Sequence, residues 1–170
     1  MKFSPMVGSR LPLWLAVGHF IVRFPRRMAR MDLPVFLSRI AAEPRGDADL
    51  KRVSKIYRRW LRQPGFRAYN TCYVRSLLLF RFVNPQGRDL CLHFGVDEPT
   101  ATDTRPHGHA WVSLDGVPWN APGSMAEGRL REIYRFSTVN GGASASGAAI
   151  AAAMIGRPDD VPASARPPKA

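Results

Sequence analysis

The stretch HGHAWVSLDGVPWN, residues 107–120, constrains this chain's fold more than any other. Asp115–Gly116 separates two arms rich in β-forming residues, and Asp-Gly between such arms is a strong short-range hairpin signal. A two-residue turn there pairs Leu114 with Val117, Ser113 with Pro118, Val112 with Trp119 and Trp111 with Asn120. Side chains alternate along a strand, so His107, His109, Trp111 and Ser113 share a face with Pro118 and Asn120. In this register Pro118 falls at a non-hydrogen-bonded pair, where its missing N–H costs the ladder nothing. Asn120 then lies diagonal to His109, within side-chain reach. Asp115 sits in the turn, at the far end from His109.

The segments upstream fix what this hairpin packs against. DLCLHFGV, 89–96, is a short apolar run bounded by turn signals and reads as a central strand. DEPTATDTRP, 97–106, reads as a polar loop. CYVRSLLLFRFV, beginning near Thr71 and ending at about Val83, is apolar on most sides, as a central buried helix is. Asn70 or Thr71 serves as its N-cap, which places Cys72 in the first turn. An earlier helix starts near Asp47, with Leu50, Val53, Tyr57, Trp60 and Leu61 on one face, and QPGF at 63–66 ends it. RLREIYRF, 129–136, fits a last strand or a short helix. The expected class is α+β: a cysteine-bearing helix on a small antiparallel sheet.

Charge and composition divide the chain. Of a net +12, residues 1–67 hold +11, from fifteen Lys/Arg against four Asp/Glu. On the Trp60 helix, Lys51, Arg52, Lys55, Arg58, Arg59 and Arg62 form either a solvated surface or a dock for an acidic partner. Leu11–Val22 is an apolar run of twelve flanked by arginines, shorter than the roughly twenty residues of a spanning helix. RFPRR behind it is the wrong flank for signal cleavage. It reads as a packed helix or one in peripheral membrane contact, in a cytoplasmic protein. The breaks at Pro34 and EPRGD suggest a basic N-terminal helical segment, 1–46, before a domain at 47–137. The Gly/Ala/Pro-rich stretch 138–170 reads as a disordered tail. Two cysteines are too few for a disulfide framework.

The order of cysteine helix, strand and histidine hairpin is the layout a thiol nucleophile needs. A helix N-terminus offers unpaired N–H groups and partial positive charge to a thiolate. An imidazole takes the thiol proton, and a third polar group fixes the ring. The candidates are Cys72 as nucleophile, His109 as base and Asn120 as orienting residue, with Asp115 a second choice. Cys91 and His93, inside an apolar strand, read as packing. A metal clamp of His107, His109 and Cys72 lacks a second close-spaced ligand pair, so neither metal nor cofactor is expected. On spacing alone, catalysis and packing stay in balance.

TCYVRSLLLFRF, GRDLCLHFGV and HGHAWVSLDGVPWN together resemble the transglutaminase-like leader peptidases of lasso-peptide biosynthesis. Those microcin-processing proteins carry Cys followed by Arg-Ser-Leu, a Gly-Val strand, then His-Ala-Trp-Val and Asp-Gly. The match covers about residues 50–122, and Trp60 sits where such proteins carry a Trp before the cysteine. The resemblance implies a papain/transglutaminase-like fold and a cytoplasmic cysteine peptidase that removes the leader of a ribosomally made precursor. Cys72 would be its nucleophile and His109 its base. It also implies a stand-alone form with a separate leader-recognition protein and a cyclase as partners; no nucleic-acid partner is expected, because the chain carries no nucleic-acid motif. One departure is plain: the family ends the hairpin with Asn-Asp, and this chain reads Asn120–Ala121. Either Asn120 takes the aspartate's role, or the fold is a catalytically inactive peptide-binding one.

Overall fold

A computed structural model of the chain describes residues 12–97, 107–126 and 128–139. The first half is helical. Helix α1 (Leu13–Met28) buries Val17, Phe20, Ile21 and Phe24, a stripe at three- and four-residue spacing. Helix α2 (Leu33–Ala42) buries Leu33, Phe36, Leu37 and Ile40 in the same pattern, with Pro34 in its first turn, where a missing N–H is harmless. Helix α3 (Leu50–Leu61) is capped by Asp49, whose carboxylate accepts from Arg52 N at 2.7 Å, and it buries Val53, Tyr57 and Leu61. A 3-10 turn at Pro64–Tyr69 leads into helix α4 (Cys72–Phe82). There Thr71 caps, its hydroxyl accepting from Val74 N at 3.3 Å. Because Val74, Ser76–Phe80 and Phe82 are all buried, α4 forms the centre of the molecule.

Strands β1 (Leu90–Asp97), β2 (Gly108–Leu114), β3 (Val117–Trp119) and β4 (Leu130–Ser137) make one antiparallel sheet in the order β3-β2-β1-β4, with a one-turn helix α5 (Gly123–Ala126) before β4. The open choice for 129–136 is therefore settled as strand. Asp115 and Gly116 both have positive φ, 50° and 78°, the backbone a two-residue hairpin turn requires. The pairs Leu114–Val117, Ser113–Pro118 and Val112–Trp119 form as the hairpin pattern requires. Leu90, Leu92 and Phe94, with Ala110, Val112, Tyr134 and Phe136, face the helices and complete the core. The arrangement is the expected α+β class.

Residues of the front segment (1–46) enter the same core as those of 47–137. Phe20 meets Phe82 edge-on at 5.7 Å, and Phe24 meets Tyr69 at 6.0 Å. Trp60 on α3 donates its indole N–H to Trp14 O at 2.9 Å and lies flat against Gly18, where a side chain would meet the ring at 2.3 Å. Within the apolar run at 11–22, Val17, Gly18, Phe20 and Ile21 are spent on packing, and Trp14, Leu15 and Val22 are left exposed. Among the described residues no helix is long and apolar enough to cross a membrane. The tail expected at 138–170 lies almost wholly outside them.

Gly95 is a tight point of the sheet. The β1–β4 register shifts between Phe94 and Gly95, a bulge that brings β4 close. A Cβ on Gly95 would stand 2.9 Å from Arg131 O and 3.0 Å from the Trp111 ring. A backbone carbonyl cannot swing aside as a side-chain tip can. Gly95→Ala is therefore expected to destabilise the fold by about 1–3 kcal/mol in urea denaturation; unchanged stability would show that the bulge relaxes freely.

Candidate active site

Strand β2 is only partly covered by its neighbour, and the site grows from that fact. Asp97 N donates to His107 O at 3.0 Å, so odd-numbered residues of β2 direct their backbone groups to β1. The even-numbered ones, Gly108, Ala110 and Val112, point the other way. β3 pairs only with Val112–Leu114, which leaves the carbonyls of Gly108 and Ala110 on an open edge. The N-terminal turns of α4 close it. Cys72 and Ser76, four residues apart and so on one face of α4, reach the edge together. The Cys72 thiol lies 3.8 Å from Gly108 O, and the Ser76 hydroxyl lies 2.8 Å from both Ala110 O and Cys72 O.

This edge ladder places Cys72 one residue along β2 from His109. Cys72 is the first residue of α4, partly exposed. Among the described residues its own amide and that of Tyr73 have no hydrogen-bond partner, as first-turn amides do not unless a cap reaches them. The thiol hydrogen bonds to the Gly108 carbonyl and not to the His109 ring.

His109 projects from the opposite side of β2 to the core. It is paired with Gly95 across the ladder, so it shares a face with Asp97, two residues further along β1. His109 Nε2 lies 2.9 Å from Asp97 Oδ2. A carboxylate only accepts, so Nε2 carries the proton and Nδ1 is the basic nitrogen of the neutral ring. The third position is thus occupied by Asp97, a residue the sequence reading placed in the 97–106 loop. β1 runs one residue longer than its apolar run, and that one residue brings a carboxylate to the histidine. Counting by twos from Cys91 through His93 and Gly95 reaches Asp97 on the histidine's face, but only once the strand is carried past its apolar run.

Asn120 goes elsewhere, which corrects the expectation that it orients His109. The chain leaves the strand at Trp119, and Asn120 has φ 51°, so the alternation that put it on the imidazole's face stops one residue short. Its Nδ2 donates to Ser76 Oγ at 3.0 Å, and its Oδ1 accepts from Val112 N at 3.3 Å. Asn120 is the top rung of the edge ladder, tying the hairpin to α4. Asp115, the second choice, also lies away from His109. It accepts from Arg88 Nε at 2.6 Å and from Asp89 N at 2.8 Å, and the Arg88 guanidinium holds its carboxyl below the usual range.

Cys91 and His93 sit on the same outer face but are buried. Burial, with Asp89 beside it, pushes the Cys91 thiol up to about 11, so it stays protonated near neutrality. His93 stacks on Trp111 with ring centroids 5.1 Å apart. Its Nδ1–H donates to Glu132 at 2.5 Å, and its Nε2 accepts from the Ser113 hydroxyl at 2.7 Å. Among the described residues no group of three ligands is placed to hold a metal ion.

Two outcomes follow. Asn120→Gly, which removes the carboxamide without opposing the positive φ, should cost about 1–3 kcal/mol in urea denaturation by deleting its bonds to Ser76 Oγ and Val112 N; no loss would mean the ladder is dispensable. Burial lowers the His93 pKa below 6.5, outweighing the pull of Glu132. As pH falls below that value the unfolded chain takes the proton first, so stability present above it is lost. Melting temperature should fall between pH 7.5 and 5.5, less so in His93→Gln; equal slopes would place the titration elsewhere.

Comparison with known proteins bears on the fold. A family model described as the transglutaminase-like superfamily matches residues 14–135. No curated protein and no solved structure matches the chain. The family match takes in α1 to α4 and nearly the whole sheet, well over half of the sequence, including the cysteine helix and the histidine strand. The chain belongs to the transglutaminase-like superfamily, which generally includes cysteine proteases and acyltransferases.

Proposed function

We propose that the protein is a cysteine peptidase in which Cys72, His109 and Asp97 act together on a peptide carbonyl. The observation that carries this reading is the His109–Asp97 hydrogen bond on the strand whose edge holds the Cys72 thiol. With Nε2–H committed to Asp97, Nδ1 takes the thiol proton, and the carboxylate stabilises the imidazolium that forms. The thiolate adds to the substrate carbonyl. The unpartnered amides of Cys72 and Tyr73 are donors for the developing oxyanion. His109 then returns its proton to the leaving amine, giving an acyl-enzyme that water hydrolyses.

The resemblance over residues 50–122 narrows the substrate to the leader junction of a ribosomally made precursor, as in lasso-peptide maturation. A leader-recognition protein and a cyclase are the proposed partners, and no cofactor enters the chemistry. Where the family carries aspartate at the hairpin end, this chain has Ala121, and Asp97 reaches the ring from the neighbouring strand instead. A second reading, an inactive peptide-binding protein, draws on the thiol's bond to Gly108 O in place of the ring.

Thiol chemistry separates the two. Alkylation of Cys72 by iodoacetamide at pH 7 should be rapid and fall by about 100-fold or more in His109→Ala, the usual worth of a positioned base. Equal slow rates in both proteins would sink the enzyme and leave the binding protein. Incubation with a candidate precursor should release its leader, and Cys72→Ala should abolish release.

A further inference from the structure

Helix α3 carries six cations and no carboxylate between Leu50 and Arg62. Its apolar stripe is fully committed to the core, so Lys51, Lys55, Arg58, Arg59 and Arg62 stand exposed on the other side. Among the described residues none of these five is paired with an acid. Lys51–Lys55, Lys55–Arg59 and Arg58–Arg62 are like charges four apart, an arrangement that destabilises a helix with no anion to neutralise it. The cations line a groove of about 460 Å³ whose far wall is Trp119 of β3. Trp119 precedes Asn120, and Asn120 holds Ser76, one helical turn beyond Cys72. The groove therefore opens beside the edge of β2 that carries the thiol.

We propose that this groove binds an acidic segment of the peptide substrate, carboxylates on the α3 cations and an apolar side chain against Trp119. The identification as substrate rests on the peptidase reading; the binding itself does not. Charge complementarity selects an anion, and the surroundings select a polypeptide. A membrane-surface helix needs an insertable apolar face next to its basic one, and the apolar face of α3 is buried against α1 and α4. Single-stranded nucleic acid is held by successive aromatic platforms, and the groove has one aromatic wall.

The test uses fluorescein-labelled decaglutamate and the full chain, read by fluorescence anisotropy at low salt. Lys55→Glu/Arg59→Glu should weaken binding at least about tenfold, since each reversal turns an attraction into a repulsion. A control with the same charge change on α1, Arg23→Glu/Arg26→Glu, should weaken it much less. Equal weakening by both variants would reduce the effect to net charge and overturn the proposal. So would a fluorescein-labelled ten-residue oligothymidylate that binds more tightly than decaglutamate and is lost on Lys55→Glu/Arg59→Glu. Cys72→Ala should bind decaglutamate as the wild type does. Failure of the groove would then leave thiol reactivity untouched, and failure of the peptidase reading would leave anisotropy untouched.

Discussion

The open edge of β2 is the constraint on which the rest depends. Two backbone carbonyls, Gly108 and Ala110, are left without a strand partner because β3 ends at Trp119. Exposed strand edges invite wrong pairing, and proteins cover them. Here the cover is the first turn and a half of α4, through Cys72 and Ser76. That solution ties a helix N-terminus, with its unpaired amides, to the strand that bears His109. The contact that covers the edge is also the one that brings the thiol beside the histidine strand. Ser76 shows the economy of it: one hydroxyl lies within bonding distance of Ala110 O and Cys72 O and accepts from Asn120.

The two faces of the sheet divide the remaining work. The inner face is apolar and packs on α4, which fixes the height of Cys72 along β2. The outer face holds the titratable groups in two separate sets. Toward Asp97 it carries the His109–Asp97 pair, partly open to solvent. Toward Leu90 it carries His93 and Cys91, buried, hydrogen bonded and held in their neutral forms. Gly95 lies between the sets, where the bulge with β4 leaves no room for a side chain opposite His109.

Much of this was legible in the sequence because it rests on local rules. The hairpin register follows from Asp115–Gly116, and the start of α4 from Asn70 or Thr71 preceding an apolar run, of which Thr71 is the cap. The places of Cys72 at a helix start and of His109 on the hairpin strand could be read from capping and strand signals. Asn120 could not, because its backbone turns left-handed after Trp119, and a single residue of that kind breaks the alternation on which the assignment rested. Asp97 was hidden for the complementary reason: strand ends are set by pairing partners, and β1 continues past its apolar run because His107 O accepts from Asp97 N. The packing of α1 and α2 into the core was equally non-local. The Pro and Gly breaks between 34 and 47 mark turns, and nothing in them says that Phe20 meets Phe82 across the fold.

A carboxylate from β1 holds the histidine of β2. Imidazole nitrogen NMR on uniformly labelled protein reads this directly through the His109 Nε2–H. Its proton resonance should be shifted downfield and slow to exchange in the wild type. It should persist in Asn120→Gly and be lost or strongly moved in Asp97→Asn. Loss on changing Asn120, with no response to Asp97, would give the ring's partner as Asn120 and not the β1 carboxylate.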